Sequence, residues 1–320
     1  MSSSGRLFGG LELGGTTIKV CLAQDSVTNV VHQQSFPTTK PAETLQIALD
    51  FFRKHKIVSL GIGSFGPIDI NPSSPHYGHI TSTPKLQWQD FDVVGFFKSL
   101  NVPISFNTDV NGAALAELKW GQHERDVDYE IKNVVYVTVG TGIGAGVVVD
   151  GRAVSGLLHP EAGHFRVPRH PDDKYAGNCP FHGDCLEGLG NAAAVAARCG
   201  VPPSQLHTVS DDHPTWEIEA FYLANLCQTL ACIVSPHVIV LGGGVLKRQV
   251  LFTKTREQLK KINNSYLRAD KLISKVDTYV VPSRFDAKGS NTSAGCIGVL
   301  ELARRIYEEV SDDKKITARI

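Results

Sequence analysis

Residues 159–185, HPEAGHFRVPRHPDDKYAGNCPFHGDC, place four histidines and two cysteines in one short segment. Cys179, His182 and Cys185 follow the spacing C-x₂-H-x₂-C, which brings three zinc-type ligands around one tight turn. A loop that merely contains free cysteines is the alternative reading. The thiols and imidazole together favour a zinc site.

A tetrahedral zinc shell needs a fourth ligand, and the segment offers His159, His164 and His170. Two thiolates and two imidazoles would fill that shell and leave no position for a reactive water. The spacing therefore predicts a metal that shapes a loop and does no chemistry itself.

Three glycine turns each follow an apolar strand: LGGTT at 13–17, GTGIGAG at 140–146 and LGGGV at 241–245. Glycine lets the backbone approach a ligand closely, and threonine hydroxyls can donate to phosphate oxygens. A single such turn more often just closes a hairpin. Three in one chain, two of them with threonine, indicate a nucleotide. The second turn lies between two strands, which argues against a dinucleotide-binding fingerprint, and no P-loop motif occurs.

The segments that must position these turns alternate between strands and helices. Apolar runs at 6–13, 17–23 and 29–36 predict an antiparallel meander, followed by a helix at 41–54 and a buried strand at 57–64. Residues 65–84 are too rich in Pro, Gly and Ser for regular structure. A short strand at 103–106 and a helix at about 110–120 complete the first half.

The second half starts in the same way, because residues 133–151 repeat the strand, Gly/Thr turn, strand pattern of the N-terminus. This self-resemblance predicts a duplicated domain. Strands at 237–242 and 278–283 alternate with helices, which argues for an α/β fold with mixed sheets. The predicted helices are 187–198, 214–233, 250–264 and 291–309.

Composition excludes several function classes. The 32 Lys+Arg residues balance the 32 Asp+Glu residues, so no net charge favours nucleic acid. Apolar runs are strand-length, which predicts no membrane partner, and the N-terminus shows no secretory signal. Seven cysteines without a disulfide-like spacing favour a reducing, cytoplasmic location.

FGGLELGGTTIKV, TDVNGAALAE, VTVGTGIGAGVVVDG, HPEAGH, CPFHGDCLEG and IVLGGGV occur in the order of the ROK family of sugar kinases. The sequence resembles that family over nearly its whole length, and residues 66–85 look most like its fructokinase branch. The resemblance implies an α/β fold of two ribonuclease-H-like (actin-like ATPase) domains around a central cleft. It implies phosphorylation of a free hexose by ATP, with fructose first and mannose or glucose as alternatives.

From this resemblance we expect an N-terminal domain at 1–118 and a C-terminal domain at 119–294 that carries the zinc loop 159–187. A C-terminal helix at about 295–310 is expected to pack back on the first domain, and the protein is expected to be a homodimer. The family also contains repressors with an added N-terminal DNA-binding module, for which the early first strand leaves no room. A non-catalytic sugar sensor is the competing hypothesis, against which Asp109 and the glycine turns argue.

The resemblance also implies roles at the sugar. It selects His164 as the fourth zinc ligand, so that zinc holds one ring nitrogen and the other meets a sugar hydroxyl. It implies sugar contacts by Glu161 and Glu187, since carboxylates are strong acceptors for hydroxyls, and by Gly66. Many relatives place a sugar-binding Asn before the Asp of the next motif. This sequence has Thr108 there, which we expect at the sugar with a changed selectivity.

Asp109 itself has two readings. As a residue just before a helix it could be a plain N-cap, the commonest role for Asp there. The resemblance makes it the general base that takes the proton of the attacking hydroxyl.

The remaining predictions concern ATP and Mg²⁺. We expect Glu12 to organise Mg²⁺ through water, and we expect Lys19 to be a solvated strand residue without a catalytic role. The residues expected at the nucleotide are Gly14, Gly15, Thr16, Thr17, Thr141, Gly142, Gly243 and Gly244.

Overall fold

The computed structural model describes residues 5–121, 130–285 and 292–317, with the backbone alone at 314–317. The chain divides into two compact units. The first comprises Met1–Ala116, Val154–His159 and Ser290–Ile320, and the second comprises Glu117–Ala153 and Pro160–Gly289.

Ten strands form two sheets within the described ranges. They are β1 (Leu7–Leu13), β2 (Thr17–Gln24), β3 (Val30–Pro37), β4 (Ser59–Ser64), β5 (Ile104–Thr108), β6 (Val134–Val139), β7 (Ile143–Val149), β8 (Arg152–Ala153), β9 (Val238–Gly242) and β10 (Val280–Pro282). The sheet orders are β3-β2-β1-β4-β5 and β10-β9-β6-β7-β8.

The α-helices of the same ranges cover the sheets and carry several predicted site residues. They are α1 (Pro41–Arg53), α2 (Val93–Phe97), α3 (Asp109–Trp120), α4 (Leu186–Gly190), α5 (Ala192–Cys199), α6 (Thr215–Ile233), α7 (Val250–Asn263), α8 (Asp270–Ile273), α9 (Val276–Tyr279) and α10 (Ala294–Thr317). Among the described helices, none combines the length and apolar character needed to cross a membrane.

The two sheets share one topology. In the first, β1 and β2 pair antiparallel, as do β2 and β3, while β4 runs parallel to β1 and to β5. In the second, β6 pairs antiparallel with β7 and β7 with β8, while β9 runs parallel to β6 and to β10. The predicted meander and the mixed α/β character are therefore confirmed, and the sequence repeat corresponds to a repeated sheet.

Helix α10 packs directly against the first sheet. The Ser59 hydroxyl donates to the Ala303 carbonyl over 2.7 Å, and a Cβ at Gly61 would overlap the Val299 carbonyl oxygen. Glycine at position 61 thus lets helix and strand backbones approach each other. Helix α1 also contributes to the core of this unit, because its residues Leu45 and Phe52 are fully buried.

The structure corrects two element boundaries. The helix predicted at 187–198 is interrupted at Asn191, whose side chain accepts from the Ala194 amide and so caps α5. The strand predicted at 278–283 begins only at Val280, because Tyr279 ends the short helix α9.

Candidate functional site

In the first unit, three parallel strands end side by side. Leu13 pairs with Ser64, and Ser64 pairs with Thr108, so the residues that follow β1, β4 and β5 lie along one sheet edge. The Phe65 amide donates to the Leu13 carbonyl over 2.9 Å. Carboxyl ends of parallel strands are the usual location of ligand sites in such sheets. The edge thereby brings together the first glycine turn, the predicted sugar loop at Gly66 and Asp109.

Asp109 is the first residue of α3, and the N-cap of that helix is Thr108. The Thr108 hydroxyl accepts from the Asn111 amide over 3.0 Å, the bond that defines an N-cap, and Thr108 is buried. Asp109 Oδ1 accepts from the Val110 amide over 2.9 Å. The N-cap reading of Asp109 is therefore wrong. The hydroxyl of Thr108, which was expected at the sugar, is engaged in capping.

The first glycine turn is tightly closed. A Cβ at Gly14 would lie 2.6 Å from the Thr17 carbonyl oxygen, so a side chain there would disturb the turn. Thr38 ties the turn down, because its hydroxyl donates to the Gly14 carbonyl over 2.7 Å and its amide to the Thr16 carbonyl over 2.9 Å. Thr16 and Thr17 are exposed, while Gly15 is partly exposed. The turn presents two solvent-facing hydroxyls on a fixed backbone.

Glu12 lies in a polar cluster with Lys19 and Ser293. Lys19 Nζ donates to both carboxylate oxygens over 3.2 and 3.0 Å and to the Ser293 hydroxyl over 3.2 Å. Lys19 lies in β2 as expected, but its side chain is only 27% exposed and is paired with Glu12 instead of being fully solvated. A Cβ at Gly295 would crowd the Glu12 carboxyl group, which therefore lies over the first turn of α10.

In the second unit, the β6–β7 turn receives a carboxylate from α4. The Ile143 amide donates to Glu187 Oε2 over 2.9 Å, and a Cβ at Gly142 would lie 2.6 Å from the same oxygen. Thr141 is exposed beside it. Glycine at 142 thus makes room for Glu187 at the turn.

The turn after β9 lies against the end of β6. Gly243 has φ of +94°, and a Cβ there would lie 2.5 Å from the Val139 carbonyl oxygen. Only glycine adopts this conformation in so little space. Gly244 is exposed, and a Cβ there would meet no other atom within 4 Å.

Glu161 lies within the electrostatic influence of Glu187. Glu161 is exposed, yet desolvation by neighbouring protein atoms, together with the negative charge of Glu187, raises its pKa to about 7. His164 Nε2 lies 3.9 Å from Glu187 Oε1. Two carboxyl groups and one imidazole are thus available to accept from or donate to hydroxyl groups of a ligand.

The metal-type cluster comprises His164, Cys179, His182 and Cys185, whose ligand atoms all lie within 4.8 Å of one another. His164 Nδ1 lies 3.7 Å from Cys179 Sγ and 3.6 Å from Cys185 Sγ. Sulfur and nitrogen ligands of tetrahedral zinc are about 3.5 Å apart, given Zn–S near 2.3 Å and Zn–N near 2.0 Å. The donor set and spacing fit zinc, and His164 directs its other nitrogen towards Glu187.

The other two candidate histidines have different neighbours. His159 Nε2 accepts from the Ile68 amide over 3.1 Å. The ring of His170 packs edge-on against Phe221. Among the described residues, therefore, the cluster takes its first histidine from position 164.

Two solved structures resemble this chain over nearly its full length. A ROK hexokinase from Thermus thermophilus gives a TM-score of 0.71 at 23% identity, covering 96% of this chain and 99% of that one. A ROK glucokinase from Streptomyces griseus, solved with glucose and AMPPNP, gives 0.69 at 20% identity, covering 93% and 99%. This likeness defines the fold as that of the actin-like ATPases.

Within the proteins of this fold, the sequence identifies one family, because residues 8–306 match the ROK family. The chain belongs to the ROK family. It is 40% identical to a putative fructokinase of Bacillus subtilis over 94% of this chain and 97% of that protein. It is 39% identical to a fructokinase of Pediococcus pentosaceus over 93% and 98%.

Sequence reasoning missed two contacts near the first glycine turn and the sugar loop. Lys19 and Glu12 are direct cross-strand partners, and counting back equally from the turn would have paired them. His159 contacts Ile68, which is 91 positions away in the sequence, and no local pattern predicts such a contact.

Proposed function

We propose that this protein transfers the γ-phosphoryl group of ATP to a free hexose, with D-fructose preferred and fructose 6-phosphate as product. The observation that carries the proposal is Asp109, which directly follows β5 on the same sheet edge as the closed Gly/Thr turn after β1. Identity of 39–40% to fructokinases supports fructose over glucose, since the glucokinase of Halalkalibacterium halodurans is only 28% identical.

Asp109 acts as the general base. The hexose hydroxyl oxygen attacks the γ-phosphorus, the bond from that phosphorus to the β,γ-bridging oxygen breaks, and ADP leaves. The hydroxyl proton passes to the Asp109 carboxylate. Such transfer needs little covalent help beyond positioning and charge neutralisation. Because Thr108 caps the helix, the Asp109 carboxylate is not required for capping.

The sugar is held by hydroxyl contacts to Glu161, Glu187 and His164, with the backbone at Gly66 as a further contact. A carboxylate is a strong acceptor for hydroxyl donors, and His164 Nε2 acts as a donor, because Nδ1 faces the metal-type cluster. The Glu187 oxygen that accepts from Ile143 is already oriented. This leaves its second oxygen for the ligand.

The two hairpins contact the phosphates of ATP. Thr16, Thr17 and Thr141 supply hydroxyl donors, while Gly14, Gly15 and Gly142 allow close backbone approach. Gly243 and Gly244 do the same beside the adenosine. Mg²⁺ would neutralise phosphate charge when bound. Glu12, whose carboxylate also accepts from Lys19, would hold it through water, since magnesium keeps several waters and accepts one or two carboxylates.

The cluster of His164, Cys179, His182 and Cys185 holds a structural zinc ion. Its donor set is complete for tetrahedral coordination, so the metal orders the loop and fixes the His164 ring. We further infer a cytoplasmic homodimer that binds neither nucleic acid nor membrane, on the basis of the balanced charge and the family likeness.

The test is a coupled assay of ADP release with fructose, mannose and glucose at equal concentrations. We expect fructose to give the largest kcat/KM and the product to be the 6-phosphate. A preference for glucose or mannose would change the assigned substrate, but the assignment as a hexose kinase would stand. A protein that binds hexose without releasing ADP would be a sugar sensor and would refute the proposal.

A further inference from the structure

His159 is a buried side chain with a defined hydrogen-bonding role. It ends the segment Val154–His159 of the first unit and is 6% exposed. Its Nε2 lies 3.1 Å from the Ile68 amide nitrogen. Since a backbone N–H can only donate, Nε2 is the acceptor and carries no proton in this arrangement.

The backbone that His159 contacts belongs to the segment around Gly66. On one side of this glycine, the Phe65 amide donates to the Leu13 carbonyl over 2.9 Å. On the other side, the Pro67 carbonyl accepts from the Thr81 amide over 2.8 Å and from its hydroxyl over 3.0 Å. Gly66 therefore lies in a segment that is anchored on both sides.

The Ile68 amide needs its partner because it lies in a buried environment. The Ile68 side chain is fully buried within the core of the first unit. A buried amide without an acceptor is unfavourable, and a chain segment relieves this by moving until it finds water or another acceptor. The movement would begin two residues from Gly66.

We propose that His159 is a positioning residue for hexose binding, which holds the Gly66–Ile68 segment through the Ile68 amide. This inference rests on the proposed function, because it takes Gly66 as a sugar contact. His159 lies outside the metal-type cluster, and its Nε2 is already bonded. It acts through the loop backbone, without touching the phosphates.

Two substitutions separate the acceptor from the bulk of the side chain. His159→Leu fills similar space without an acceptor, while His159→Gln places an amide oxygen near the position of Nε2. We expect the Leu variant to raise the KM for hexose roughly 10-fold or more, as loss of one buried acceptor implies. The Gln variant should stay within about threefold of wild type. The KM for ATP and the zinc content should be unchanged in both.

If the Leu variant does not fold, His159→Asn takes its place, because this amide is one bond shorter than that of Gln and falls short of Ile68. Equal hexose KM values for the Gln variant and for a folded Leu or Asn variant would overturn the proposal. Loss of zinc in a folded variant would assign His159 to the metal instead and would also overturn it.

The outcome is distinguishable from a failure of the proposed function. If wild-type protein phosphorylates no hexose, the proposed activity is wrong whatever the variants do. The hydrogen bond between the Ile68 amide and residue 159 is then tested by hydrogen exchange. Exchange at this amide should be faster in the Leu or Asn variant than in the Gln variant. Equal exchange rates would refute the anchoring role itself.

Discussion

The β1–β2 and β6–β7 hairpins have the same place in two sheets of the same topology, yet they are charged differently. In the first, the second residue pair from the turn is Glu12 and Lys19, while the equivalent pair in the second is Thr138 and Gly144. The second hairpin instead receives Glu187 from α4. One unit carries its carboxylate on the hairpin strand, and the other takes it from a helix.

This difference teaches that the duplicated topology fixes where a turn lies but not what chemistry it performs. A strand residue such as Glu12 is set by register and by its cross-strand partner. Glu187 depends on α4, which begins immediately after Cys185 of the metal-type cluster. We therefore expect the largest loss of kcat from a change at Asp109 in the first unit, and defects of affinity and stability from changes at Glu187 and the metal-type cluster in the second.

The largest effect should come from Asp109→Asn in the first unit. The amide cannot take a proton at neutral pH, so kcat should fall about 10²–10⁴-fold, the usual contribution of a positioned general base. The hexose KM should change less, because an amide still bonds a hydroxyl. Steady-state kinetics and thermal unfolding measure both properties.

Thr108→Ala is the matched control for that experiment. It should lower the free energy of unfolding by about 0.5–2 kcal/mol through loss of the cap, while Asp109→Asn should leave stability near wild type. An Asn variant with turnover within a few-fold of wild type would remove Asp109 from the mechanism.

Buried glutamates of the two units should respond to pH in opposite directions. Burial raises the pKa of Glu219 in α6 to about 8, and both its oxygens lack a hydrogen-bond partner among the described residues. For Glu301 in α10, burial also opposes ionisation, but Arg304 and Arg305 outweigh it and lower the pKa. The pKa of a buried glutamate is therefore raised in the second unit and lowered in the first.

The direction of each pH effect on the free energy of unfolding follows from the number of protons bound in the folded and unfolded states. Between its ordinary pKa of 4.5 and about 8, folded Glu219 keeps a proton that the unfolded chain has lost, so its contribution falls as pH rises through this window. Glu301 contributes above its ordinary pKa and loses this as pH falls. From pH 5 to 8, denaturant unfolding should show wild type losing roughly 3 kcal/mol relative to Glu219→Gln. A difference in unfolding free energy between wild type and Glu219→Gln that does not change with pH would contradict a buried, neutral Glu219 carboxyl group.

Zinc removal should weaken the second unit. Cys179→Ser should lose about one zinc per chain and lower the free energy of unfolding by roughly 2 kcal/mol, far below the ~10–16 kcal/mol by which zinc folds a peptide finger. Cys232→Ser is the control, since Cys232 is exposed and lies outside the cluster. Active wild-type protein without zinc in metal analysis would refute the structural metal.

The smallest effect should come from Glu187→Gln, which sharpens the contrast between the hairpins. Removing the charge weakens the bond from the Ile143 amide and the contact to a sugar hydroxyl, by about 1 kcal/mol in total. We expect the hexose dissociation constant to rise about 5–10-fold in calorimetry, with kcat within a few-fold of wild type. A kcat loss as large as that of Asp109→Asn would erase the distinction between the two units.

Local sequence patterns predicted much of the fold and part of the site. The alternation of apolar residues indicated the strands of both sheets, and the spacing of Cys179, His182 and Cys185 placed three side chains that the structure brings together. These features depend on neighbours within a few residues, which is where periodicity and turn chemistry act.

Other features depended on information that a local pattern does not hold. Thr108 and Asp109 are both good N-cap residues, and only the backbone geometry decides which one accepts the Asn111 amide. The break in the alanine-rich run at Asn191 was signalled by a capping residue, but alanine propensity argued for a continuous helix. The partner of His159 is set by tertiary structure alone.

The position of α10 in the chain has a consequence for biosynthesis. This helix packs on β1 and β4, strands that leave the ribosome more than 200 residues before it does. At about 5–20 residues per second, the nascent first sheet waits roughly 10–40 s with an apolar face uncovered. The residues of the second unit, Glu117–Ala153 and Pro160–Gly289, are all made before α10. The unit whose translation starts first thus completes its folding last, and until α10 is made its uncovered apolar face is open to aggregation or to binding by other proteins.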